Sequence, residues 1–263
     1  MIALRAGPPQ TVTFCAAHKN RQFSPAMLRR YTKSKSIIMT INCWICEKEE
    51  ATTGEHAIMK AAYERILGKI KKGDNAFFSY VGGKKNIPIG SFKNDRLKFD
   101  KSICQACNGA LTQAYDNEFI SLIEKLLQSK HFIISRNRLS LNSFNKPNLA
   151  LYFIKIFGCL IKELNGNVAA ADHELIRQSI LQGKVLTNNI HISAHRNLGK
   201  LAAKATKTIS TYPVFEADFC SWIIDLDWIS FIICYPFAPM QEEYGTQWNL
   251  NTDITSLSIG KLK

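Results

Sequence analysis

The chain lacks what a membrane-spanning protein needs. No apolar run in its 263 residues reaches the roughly 18 residues that cross a bilayer. The longest candidates, residues 149–160 and 222–235, are broken by Lys155 and by Asp225 and Asp227. No apolar leader segment opens the sequence either, so the expected compartment is the reducing cytoplasm. There is no internal repeat. Acid is missing altogether from residues 1–38, which carry seven Lys/Arg. That stretch is expected to be a poorly ordered basic extension, and its acid-free character leaves organelle targeting open.

At 46% hydrophobic, the chain can bury a sizeable core. Its formal net charge is +13, and a basic balance of this size favours polyanions, nucleic acid first. The excess is uneven. Residues 39–129 hold thirteen Lys/Arg against eleven acids, and residues 130–215 hold twelve against three.

Four of the eight cysteines form two short pairs, Cys43-Trp44-Ile45-Cys46 and Cys104-Gln105-Ala106-Cys107. In a reducing compartment this pattern reads as thiolate ligation rather than disulfides. Each pair gives two ligands from one tight turn, and two pairs close a tetrahedral zinc shell with no place for water. Such a site is structural. The pairs are 58 positions apart, far more than the roughly 15–20 of a simple zinc ribbon. The intervening loop must therefore hold structure of its own. Cys159 and Cys234 lie in apolar runs and read as core residues. Trp44 is expected to pack over the first knuckle.

Between the pairs stands Thr52-Thr53-Gly54-Glu55-His56, and Asn108 follows the last cysteine directly. A neutral imidazole can take a proton from water near neutral pH. A carboxylate is a hard oxygen ligand suited to Mg²⁺ or Mn²⁺, and an Asn carbonyl oxygen can complete the coordination. Asn108 has a simpler alternative use in the first turn of a helix.

Coarse periodicity places helices over residues 57–72, 105–130, 149–164, 172–182 and 196–207. Residues 77–81 and 208–235 read as strand, the latter as two or three paired strands turning near Asp225–Asp227. Residues 131–148 read as a polar boundary. His173, His191 and His195 have no convincing ligand partners.

Cys-x-x-Cys, then Glu-His, then Cys-x-x-Cys-Asn opening a helix resembles the zinc-stapled branch of the HNH endonucleases. The likeness covers residues 43–130, with Asp116 where many such sequences carry an acid. It implies an α+β fold with a ββα-metal nuclease core over residues 39–130. An α+β accessory domain, first mainly helical and then β-strand, would follow over 149–240, with a loose tail over 241–263.

The resemblance further implies metal-dependent hydrolysis of nucleic-acid phosphodiester bonds, with DNA the first expectation and RNA left open. His56 would be the general base, and Glu55 and Asn108 would hold a catalytic Mg²⁺ or Mn²⁺. Cys43, Cys46, Cys104 and Cys107 would hold the structural Zn²⁺. Two positions depart from the family pattern. Phe99 stands where the middle Asn usually falls, with Asn94 and Asn86 as substitutes, and Ala57-Ile58-Met59 replaces the usual Ile-x-Pro.

Lys84, Lys85, Arg96 and Lys98 are candidate phosphate contacts, as are Arg196, Lys200, Lys204 and Lys207 on one helical face. No membrane partner is expected, and a homodimer is left open. The alternative is a zinc-stabilised nucleic-acid-binding module that does not cut.

Overall fold

The computed structural model describes residues 41–68, 78–81, 85–88, 91–163, 170–187, 189–196, 209–215, 219–236, 248–250 and 253–261. The basic extension over residues 1–38, residues 69–72 of the first expected helix, and Lys200, Lys204 and Lys207 lie outside them.

The helix expected over 57–72 is described as α1, Lys60–Leu67. It ends at Gly68, whose φ of 86° few other residues adopt cheaply. A short antiparallel pair follows, β1 (Phe78–Val81) and β2 (Lys85–Pro88).

The helix expected from residue 105 opens with a π-helical turn, Cys107–Leu111, and continues as α2, Gln113–Gln128. Its apolar stripe buries Tyr115, Phe119, Leu122, Ile123 and Leu126. The expected polar boundary is instead structured. It contains α3 (Lys130–Arg136), which stops at Asn137 in the left-handed conformation, and β3 (Arg138–Ser140). The short side chain of Asn tolerates that conformation, so a polar stretch can still close a helix and start a strand.

Next comes α4, Lys146–Glu163, in which every residue from Leu149 to Ile161 is buried. A helix that is apolar all round belongs at the centre of a fold, and α4 packs against α2 and against α5 (Ala170–Gln182). Tyr152 stacks on Phe119 of α2 with ring centroids 3.9 Å apart. On another side, Phe153 and Phe157 meet Phe231 and Tyr235 of the sheet, each pair at 5.9 Å.

Among the described residues the sheet has seven strands in the order β3-β9-β4-β7-β6-β5, with β8 also paired to β4. Its further strands are β4 (His191–Arg196), β5 (Ile209–Phe215), β6 (Phe219–Leu226), β7 (Ile229–Pro236), β8 (Trp248–Asn249) and β9 (Ser256–Lys261). All pairs are antiparallel except β4 with β9.

Two expectations are corrected here. Arg196 does not open a helix. It ends strand β4 and donates from Nη2 to the Ile134 carbonyl at 2.7 Å. Nor is the C-terminal stretch a loose tail, because Leu257 and Ile259 alternate into the core from β9. The buried side chains form one cluster that runs from Cys43 to Ile259.

Candidate metal centre and the adjoining polar site

The first knuckle is a tight turn. The Cys43 amide donates to the Glu49 carbonyl at 2.8 Å, and the Glu47 amide donates to the Cys43 carbonyl at 2.8 Å. Glu47 takes a positive φ of 58° to close it. Arg177 of α5 braces the turn from outside, donating to the Ile45 carbonyl at 3.2 Å and pairing with Glu47 at 3.3 Å. The second knuckle sits at the start of the π-helical turn, where the Cys107 amide points at Cys104 Sγ, 3.4 Å away. The two knuckles are joined by the Trp44 amide, which donates to the Ser102 carbonyl at 2.9 Å.

This brings Cys43, Cys46, Cys104 and Cys107 together with every sulfur within 4.8 Å of every other. The four are close enough to hold one metal ion. Tetrahedral zinc at about 2.3 Å from each sulfur would set the sulfurs about 3.8 Å apart, and Cys46 Sγ and Cys104 Sγ are 3.8 Å apart. Burial raises the Cys43 and Cys107 thiols. Burial works the same way on Cys46, but the Glu49 and Lys48 amides outweigh it and lower that thiol to about 7. Amide donors aimed at a sulfur favour the thiolate that a metal requires.

Glu55 and His56 lie on an extended segment beside residues 98–103. Thr53 pairs with Ile103 and His56 with Lys98 in isolated antiparallel bridges. The Phe99 amide donates to the Glu55 carbonyl at 2.8 Å and the Ala57 amide to the Leu97 carbonyl at 2.9 Å. Two short extended segments thus run directly into the knuckle and α2. The loop between them carries α1 and the β1–β2 pair.

His56 Nε2 lies 2.9 Å from the Phe92 carbonyl oxygen. A carbonyl only accepts, so Nε2 carries the proton and the neutral ring keeps its lone pair on Nδ1. Burial, then the nearby Lys98 and Lys60 charges, lower the His56 pKa against the upward pull of the Phe92 carbonyl, so the neutral form is favoured.

Glu55 is buried, and its Oε2 stands 3.0 Å from Lys155 Nζ of α4. The same ammonium meets Asp116 Oδ1 and Oδ2 at 2.8 and 2.9 Å and Thr112 Oγ1 at 3.1 Å. Lys155 has no exposed side-chain surface. Burial alone would drive off its proton, but Glu55 and Asp116 outweigh that and raise its pKa. Burial raises Asp116 to about 6, with Lys155 pulling it down. Thr112 Oγ1 donates in turn to the Cys107 carbonyl at 3.0 Å. Asn108 comes next in the chain, and its Oδ1 is buried with no hydrogen-bond partner. An orphaned buried carbonyl oxygen is a ligand atom that suits a hard cation.

The sequence therefore pointed at Glu55, His56 and Asn108 but not at the buried ammonium that meets Glu55. Lys155 and Thr112 were missed, and Asp116 had no assigned partner. A signal was present: a lysine inside an unbroken apolar helix is almost never buried unpaired, and Thr112 and Asp116 are four apart on one helix face. Phe99 fills a core position, its ring 5.5 Å from that of Trp222. Asn94 lies in the loop that supplies the Phe92 carbonyl, donating its amide to the Ser91 carbonyl at 3.0 Å. Trp44 is buried over the knuckle, against Gly158 of α4.

Of the candidate phosphate contacts, Lys98 is part-buried and paired with Asp95 at 2.9 Å. Lys84 and the side chains of Lys85, Arg96 and Asn86 lie outside the described residues. No helix among the described residues is long and apolar enough to cross a membrane. No family model, curated protein or solved structure matches the chain.

Proposed function

We propose that the protein is a metal-dependent endonuclease of the HNH type that hydrolyses nucleic-acid phosphodiester bonds, with DNA as the first substrate to test and RNA left open. The observation that carries this reading is the 2.9 Å hydrogen bond from His56 Nε2 to the Phe92 carbonyl. It fixes the ring with Nδ1 as the basic atom, as activation of a water requires. The short paired segments around Thr53–Ile103 and His56–Lys98, followed by the knuckle and α2, suit the ββα-metal core. Zn²⁺ in the four-cysteine cluster would hold this frame and take no part in the reaction.

Glu55 and Asn108 would hold Mg²⁺ or Mn²⁺, which when bound polarises the scissile phosphate and stabilises the leaving oxygen. His56 takes the proton from the attacking water, which displaces the leaving oxygen with no covalent enzyme intermediate. Lys84, Lys85, Arg96 and Lys98 would position the phosphate backbone.

The test is nicking of supercoiled plasmid by the zinc-loaded full chain with Mg²⁺ or Mn²⁺. His56→Ala should lower the rate by at least about 100-fold. Wild type that nicks no faster than His56→Ala overturns the reading.

One observation favours a second reading, a zinc-stabilised nucleic-acid-binding module without activity: Lys155 already occupies one oxygen of Glu55. Retardation of DNA on a gel without nicking would select it.

A further inference from the structure

We propose that Lys155 and Asp116 form a positioning and charge-setting pair for Glu55: Lys155 fixes the Glu55 carboxylate through Oε2, and Asp116 cancels the ammonium, so that Glu55 keeps a net negative charge to offer a divalent cation. This deepens the nuclease reading and rests on it only for what the cation does.

The count of donors and acceptors carries the argument. An ammonium has three protons. Lys155 finds three acceptor groups, Glu55 Oε2, the Asp116 carboxylate and Thr112 Oγ1. Thr112 gives its own proton to the Cys107 carbonyl, so its lone pair is free for Lys155. The ammonium therefore has no spare proton and a fixed direction. Two carboxylates and one ammonium sum to a formal charge of −1. A buried uncompensated charge is costly, and a hard cation would relieve it. Lys155 holds Glu55 through Oε2 at 3.0 Å. Asn108, with its orphaned Oδ1, follows the very residue whose carbonyl ends this chain of bonds.

The substitutions have opposite consequences. Asp116→Asn leaves one ammonium against one carboxylate, so the cluster becomes neutral and the pull on a cation disappears. Removing both partners with Lys155→Met and Asp116→Asn returns the charge to −1 but leaves Glu55 unsupported.

The experiment titrates Mn²⁺ into the zinc-loaded full chain and follows the free-ion signal by electron paramagnetic resonance. Plasmid-nicking kcat and KM are measured alongside. Wild type should bind one Mn²⁺ that is lost in Glu55→Gln. Asp116→Asn should bind it at least tenfold more weakly with zinc content unchanged. The double variant should recover affinity to within a few-fold while kcat stays low at unchanged KM.

Unaltered Mn²⁺ affinity in Asp116→Asn overturns the proposal, as does the absence of any Glu55-dependent Mn²⁺ site. If Asp116→Asn does not fold, the double variant, which lacks both buried charges of the pair, decides alone. Affinity as low as in Glu55→Gln overturns the proposal, and near-wild-type affinity supports it. Glu55-dependent Mn²⁺ binding without nicking would overturn the nuclease reading and leave the pair's role standing.

Discussion

Gly54 lets the two extended segments around Glu55 close on each other. A Cβ at this position would lie 2.4 Å from the Phe99 carbonyl oxygen, a backbone atom that cannot swing aside. Gly54→Ala should cost about 1–3 kcal/mol, as overpacking does, and a thermal melt should show it as a lowered Tm. Glu163, at the end of α4, makes a pH prediction. Burial, then the Asp100 charge, raise its carboxyl to about 7 against the pull of the Asp100 amide. Between its ordinary value of 4.5 and about 7, the folded chain holds a proton that the unfolded chain has released. Stability from this group therefore declines as pH rises through that window. Glu163→Gln should gain on wild type from pH 5 to pH 8 when melts are compared. At this scale the four-cysteine cluster was legible, because each Cys-x-x-Cys pair is a local pattern with the spacing that metal ligation would need. The partner of Asp116 was not, because it stands 39 positions away on another helix, and sequence patterns do not register which distant charge a buried group meets.

The central element is α4. Its apolar residues were readable as a helix, and Lys155 was readable as the break that keeps the run from spanning a bilayer. The use of Gly158 was not. A Cβ there would fall 2.3 Å from the Trp44 ring, so the glycine lets α4 lie directly on the first knuckle. Gly158→Ala should lower the Tm by an amount that Trp44→Phe partly returns, giving a non-additive double-mutant cycle. Elements set by packing rather than by pattern escaped the sequence. The four-residue spacing of Arg196, Lys200 and Lys204 suggested a helix, yet tertiary pairing with β7 makes His191–Arg196 a strand. The alternation of Leu257 and Ile259 was short and flanked by serines, which hid β9.

For the whole molecule, the consequence lies in the shared core. Lys155, Trp44 and Phe119 belong to different parts of the sequence, yet α4 brings them together. A chain ended after Arg136 would keep all four cysteines but leave Glu55 and Asp116 buried without their ammonium, along with the bare apolar face of α2. It should show no cooperative thermal transition even with zinc added, while the full chain shows one. Retention of a sharp transition by the shortened chain would mean that the knuckle region folds alone.

Strand β9 sits between β3 and β4, although it is the last of the described strands in sequence. During synthesis β3 therefore waits for its neighbour until residues 256–261 have left the ribosome, long after the cysteine knuckles and α4 have emerged. Its exposed edge is a template for stray pairing throughout that interval. The vulnerable period for misassembly lasts until residues 256–261 have emerged, and the sheet is completed by insertion of a strand into its interior rather than by addition at a rim.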